Sequence, residues 1–189
     1  MFPLPRRAFM LSLLAGAVAA CAPQPGSNPL GREARARLRI ARIEVVTTGA
    51  AFESTRAAES ASRLGPDLRA TLRQEFSDRI SGDGVTMSVE IARMNLAGSV
   101  GTAFGRDRSR LQGMVRLVDD AGRLLATYPV QVEAGTAAET RTGAVARATV
   151  TTAEGFYRAL LRTFARETRT QILGADLPGQ RILRQVTAD

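Results

Sequence analysis

Apolar and polar positions change period several times along the chain, and each change marks an element. Leu38 and Ile40, then Ile43 and Val45, alternate within each pair but slip phase at Ala41-Arg42, the pattern of a β-strand carrying a bulge. Residues 48–64 are polar and Ala-rich and fit a loop or a first short helix capped by Ser54 or Thr55. Gly65-Pro66-Asp67 predicts the start of a clearer helix, since proline suits the first turn and aspartate the positive end of the helix dipole. Leu68, Leu72, Phe76 and Ile80 then recur as a core-facing stripe, and Gly82 stands at the expected stop. Val85, Met87, Val89 and Ile91 alternate with Thr86, Ser88, Glu90 and Ala92, which predicts a strand with one dry and one wet face. Leu111–Val118 and Leu124–Val132 predict a hairpin around Asp119-Asp120-Ala121-Gly122. In its second strand Leu124, Ala126, Tyr128, Val130 and Val132 share a face, and Pro129, which cannot donate to a ladder, marks a sheet edge. Thr151 and Glu154 have capping-box spacing ahead of Phe156, Leu160, Phe164 and Ile172, a long amphipathic helix widened by Tyr157 and Leu161 and ended by Gly174.

The order strand, helix, three strands, helix predicts an α+β domain over residues 37–174. It would be a mostly antiparallel four-stranded sheet with two main helices on one face, the strand order being left open. Residues 175–189 are expected as a C-terminal tail whose Ile182, Leu183 and Val186 pack back on the sheet. Gly155, costly inside a helix, is expected at a close-packing site.

The N-terminus follows a different logic. Met1 to Arg7 carries two arginines, and Ala8 to Ala20 is a 13-residue run of apolar and small residues. A membrane span takes about 20 such residues, so residues 1–20 read as a signal peptide. The run ends in Val18-Ala19-Ala20-Cys21. This resembles the lipobox of bacterial lipoproteins, an aliphatic residue and two small ones before the cysteine that receives a diacylglycerol thioether. The resemblance implies lipidation at Cys21 and anchoring of the chain in a membrane. Residues 21–36, with their Pro, Gly, Ser and Asn, read as the lipidated cysteine and a flexible tether. Arg6-Arg7-Ala8-Phe9-Met10 also resembles a twin-arginine export motif, with Pro5 where Ser or Thr is preferred, which leaves the export route open. With the lipobox and tether, the element order resembles small, largely uncharacterised proteobacterial envelope lipoproteins. Some of these are accessory subunits of lipopolysaccharide-assembly or lipid-transport machines. The resemblance implies a periplasm-facing domain, and Ala22 after the cysteine implies the outer rather than the inner membrane.

Composition narrows the chemistry. Every one of the 26 basic residues is Arg, there is no His, and Cys21 is the single thiol. This excludes a histidine general base, a Cys–His pair, a zinc site of imidazole and thiolate, and a lysine Schiff base. Arginine, always protonated, replaces none of them, and no cofactor or metal is expected. Loss of residues 1–20 would leave 24 Arg against 18 acids, an excess of six. The arginines are spread rather than blocked, and with Ala and Gly so abundant the pattern fits GC-rich codon usage better than nucleic-acid binding.

Two segments carry candidate chemistry. The loop Gly98 to Arg110 combines Phe104 with Arg106, Arg108 and Arg110 at alternate positions, a candidate partner- or anion-binding group that lacks the Gly-Lys-Ser/Thr ending of a P-loop. Asp119-Asp120, with Asp107 and Glu133, is the carboxylate set from which a hydrolase would have to be built, although adjacent aspartates before Ala-Gly are turn formers. Met114, Val118 and Leu125 break the polar pattern of the outer sheet face and extend the candidate contact surface. The expected function is a non-enzymatic accessory or scaffold subunit of an envelope assembly or transport complex. Direct binding of anionic lipid or lipopolysaccharide is the alternative, and a carboxylate-based hydrolase a more distant one.

Overall fold

The computed structural model describes residues 28–97, 108–134 and 153–175. The elements are α1 (Arg32–Arg37), β1 (Ile40–Val46), β2 (Ala51–Phe52), α2 (Thr55–Glu59), α3 (Ala61–Glu75), a 3-10 turn (Ser77–Arg79), β3 (Val85–Asn95), β4 (Ser109–Val118), β5 (Leu124–Ala134) and α4 (Ala153–Leu173). The fold is the expected α+β arrangement with one addition, the two-residue strand β2, which makes the sheet five-stranded. Its order is β1-β3-β4-β5, with β2 also paired to β3. β1 and β2 run parallel to β3, and β3-β4-β5 is an antiparallel meander. Parallel pairing requires a crossover, which α2 and α3 provide. α3 packs against β1, and α4 lies over β4 and β5 and against α3, so both long helices cover one face.

The core between them is fully buried at Ile40, Leu64, Leu68, Leu72, Phe76, Met87, Leu111, Leu117, Leu160 and Phe164. The phase slip in β1 is a register shift between Ile40 and Arg42, which turns both Ile40 and Ile43 inward. β3 contains a second shift, between Ile91 and Arg93. Strict alternation would bury Arg93; the shift instead leaves Ala92 and Arg93 exposed and returns Met94 to the core. β5 lies at an edge, as Pro129 requires. At the hairpin, Asp119 accepts from the Arg123 backbone N–H at 2.8 Å while Gly122 supplies a φ of 79°.

Several boundaries differ from expectation. The helix expected to open at Gly65-Pro66 begins at Ala61, with Ser54 capping the preceding α2 through Ala57 N, and Pro66 lies inside α3. Pro66 and Ser62, the residue whose carbonyl the missing N–H would serve, both lie at exposed positions of α3. α3 ends at Glu75, well before Gly82. Arg169 of α4, 7% exposed, grips Asp78 with two bonds of 2.8 and 2.9 Å and donates to the Glu75 carbonyl at 3.1 Å. This clamp fixes the turn, and Ile80 continues as extended chain bridged to Ile40. Gly155 is exposed rather than close-packed. Residues 28–36, expected as part of the tether, belong to the fold: Leu30 is buried and α1 follows it. Thr151, the lipobox and most of the tail (residues 176–189) lie outside the described residues.

Candidate functional site

The entry of the chain into the domain is held by one side chain. Asn28 Nδ2 donates to the carbonyls of Gln171 and Ile172 at 2.6 and 3.1 Å, while its Oδ1 accepts from Leu30 N and from the Tyr128 hydroxyl, both at 2.9 Å. The last carbonyls of a helix have no partner within it, so an amide arriving from elsewhere satisfies α4 and is itself fixed in place. Burial pushes the Tyr128 hydroxyl pKa up, which keeps it a neutral donor.

Beside this clasp, Arg32, Arg35, Ala36, Arg79 and Leu173 line a depression of about 260 Å³. The Arg35 guanidinium sits close to Gly174, where a Cβ would lie 3.7 Å from its Nη1. Arg79 Nη1 donates to the Ala36 carbonyl at 2.8 Å, and its Nε lies 3.4 Å from Asp78 Oδ2. The Nε atoms of Arg35 and Arg79 are buried without a hydrogen-bond partner. Among the described residues, no acidic residue lines this depression.

The uncovered face of the sheet has a different character. Arg108 and Arg110 converge on Glu133 at 3.0 and 2.8 Å, on one side of the strand as their spacing requires. Hydrogen bonds from Arg108 and then Arg110 hold the Glu133 carboxyl below its ordinary pKa. Phe104 and Arg106 lie outside the described residues. Arg116 pairs with Glu90 at 2.8 Å and Arg93 with Glu53 at 3.6 Å. Met114 and Pro129 meet across β4 and β5 in a depression of about 370 Å³ that also includes Glu90, Gln112 and Gln131. Met114 and Val118 are half-buried, whereas Leu124 and Leu125 are 58% and 41% exposed.

The carboxylates are engaged with arginine rather than with one another. Asp119 receives the Arg123 backbone and side chain, which lowers its pKa, and Asp120 is exposed beside it in the turn. Glu154 bonds Arg63 at 2.6 Å and Arg158 at 2.9 Å and is lowered likewise. Such groups stay ionised and are poor proton donors near neutrality. Among the described residues, no group of three or more His, Cys, Asp or Glu comes together, and Asp107 lies outside them.

Sequence reasoning missed the Asn28 clasp and the Arg32–Arg35–Arg79 depression. A signal was present in the three-residue spacing of Arg32 and Arg35, which places both on one side of a helical turn. The Pro- and Gly-rich surroundings that suggested a tether hid it.

No family model matches the chain, and no curated protein matches it. Among solved structures the fold is similar to protein XCC0632 from Xanthomonas campestris, described as DUF330, at 11% identity and a TM-score of 0.38, over 71% of this chain and 86% of that one. It is similar to an uncharacterized protein at 14% identity and a TM-score of 0.33, over 70% and 92% of the two chains. It also resembles a PelC dodecamer from Paraburkholderia phytofirmans at 14% identity and a TM-score of 0.32, over 68% and 88%. Scores this low carry no functional assignment.

Proposed function

We propose that this chain is an exported, membrane-anchored lipoprotein of the cell envelope, facing the periplasm from the outer membrane. Its domain acts as a non-enzymatic accessory or scaffold subunit of an envelope complex. The observation that carries this reading is the ordered lipobox ending on the single thiol, Cys21, only seven residues before the clasped Asn28. Seven residues reach at most about 25 Å, so an acyl group on Cys21 would hold the domain against the headgroup layer. Two or more acyl chains give stable anchoring, and anchoring turns a weak contact into a nearly intramolecular one. The uncovered sheet face offers the contact surface. The ionised, arginine-bound carboxylates support a binding role over acid catalysis.

The test is affinity recovery of the tagged chain from mild-detergent membranes, with Cys21→Ala as control and intact-mass analysis of the N-terminus. The expected result is an acylated N-terminus starting at Cys21 and a co-purifying membrane complex that weakens in the control. A mature N-terminus without acyl mass would overturn the anchor. An acylated protein recovered alone, or with bound lipid, would favour direct binding of anionic lipid, a second reading supported by the arginine-lined depression.

A further inference from the structure

We infer that the depression lined by Arg32, Arg35 and Arg79 is a phosphate-binding site whose ligand is the phosphate of an anionic lipid headgroup; the choice of headgroup rests on the anchored reading above. Three guanidiniums border one depression, with no carboxylate lining it among the described residues. Many other arginines have an acid at hand, Arg37 with Glu33, Arg116 with Glu90, Arg123 with Asp119 and Arg108 with Arg110 on Glu133. Within the depression Arg79 has Asp78 at 3.4 Å, which leaves Arg32 and Arg35 as the cations open to a ligand. Arg69 and Arg73, exposed on α3, border no such depression.

Two further details point to an anion. Arg32 is exposed and Arg35 half-buried at the depression, and phosphate oxygens satisfy guanidinium donors in pairs. Arg35 sits at the negative end of α4, yet Asn28 already occupies the Gln171 and Ile172 carbonyls and Gly174 N serves Thr170 O. The helix end therefore leaves much of the Arg35 charge available for a ligand.

Placement argues for the lipid source. The depression includes Leu173, next to the Ile172 carbonyl that Asn28 holds, and seven residues from Asn28 to Cys21 reach at most about 25 Å, so a headgroup at the anchor is within range. A headgroup phosphate held there would add a second point of attachment to the membrane beside the acyl anchor.

The probe is dihexanoyl phosphatidylglycerol, titrated by calorimetry into the full chain carrying Cys21→Ala in neutral detergent, with inorganic phosphate as a second titrant. This chain cannot be acylated, so the result is independent of the anchor, which the mass analysis above tests separately. Saturable headgroup binding is expected, weakened about tenfold in Arg32→Gln/Arg35→Gln, as loss of paired charge-assisted bonds predicts. Arg69→Gln/Arg73→Gln removes the same charge from α3 and should leave binding unchanged. Arg32→Gln alone, at an exposed position, should weaken it measurably while leaving the melting curve intact. No saturable binding, or equal weakening in both double variants, would overturn the site. Inorganic phosphate binding as tightly as the headgroup would overturn the lipid source and assign the site to the free anion.

Discussion

On the covered side of the sheet, Arg169 is 7% exposed, holds Asp78 with two bonds and stacks 5.5 Å from the Phe76 ring. On the open face, Arg116 and Glu90 meet at a similar 2.8 Å but are 43% and 49% exposed, and Arg108 and Arg110 reach Glu133 from equally wet positions. Distances alone do not separate the two settings; water does. Where it is excluded, each charge depends on its partner, whereas exposed partners are readily replaced by solvent and screened by salt. The covered face thus uses arginine to fix a turn and a helix, whereas on the open face it forms hydrated pairs across the strands.

The sharpest way to break this contrast is to remove the buried cation. Arg169→Ala is expected to cost about 3 kcal/mol in urea unfolding, the lower part of the range for a broken buried pair because Asp78 is 33% exposed. Arg169→Met with Asp78→Leu should recover most of that loss. If the single variant were neutral, the clamp would be no stronger than the surface pairs.

Gly113 tests how closely β4 is packed on β3, with α4 behind it. A Cβ there would stand 2.7 Å from the Glu90 carbonyl oxygen and 3.4 Å from Phe164 Cζ. Gly113→Ala is therefore expected to destabilise by about 1–3 kcal/mol through forced backbone shift, measured by the same unfolding curve. A smaller step concerns Tyr157, whose hydroxyl donates to Asp67 Oδ2 at 2.8 Å beneath the Arg63 guanidinium. Burial and the neighbouring Asp67 push its pKa far up, so it remains neutral. Tyr157→Phe keeps the packed ring and loses one hydrogen bond, an expected cost of about 1 kcal/mol.

Much of the covered face was legible in the sequence because burial imposes a period. Leu68, Leu72, Phe76, Phe156, Leu160 and Phe164 marked the two helices, and Ile40 with Ile43 marked the bulge in β1. The second bulge, at Ala92, was hidden because the clean alternation before it had no visible break until Met94. Long-range polar contacts leave no period at all. Nothing in the spacing of Asn28, Tyr128 and Gln171 shows that they meet, nor that Arg79 joins Arg32 and Arg35. Local chemistry misled where tertiary contact outweighed it: Pro66 suggested a helix start, but the crossover placed that start at Ala61. Of the predicted loop group, Arg108 and Arg110 both bind one carboxylate. Their shared partner Glu133 lies on another strand and was read only as a candidate acid.

The open face should show the smallest effects, and its pH dependence sharpens the contrast. The folded pKa of Glu133 lies below its ordinary 4.5 because Arg108 and Arg110 donate to its carboxylate. A carboxyl lowered by folding contributes stability that is fully present above its ordinary value and is lost as pH falls through the lowered one. Glu133→Gln should therefore lower the melting temperature slightly at pH 7, by less than Tyr157→Phe. The difference from wild type should persist down to about pH 5, shrink below pH 4.5 as the wild-type carboxyl takes up its proton, and weaken at high salt. The Arg169 clamp, by contrast, should keep its effect at high salt because screening reaches a buried charge poorly. A salt-resistant loss on Glu133→Gln, comparable with that of Arg169→Ala, would mean that the open-face pairs hold the fold as the buried pair does. The division of labour between the two faces would then fail.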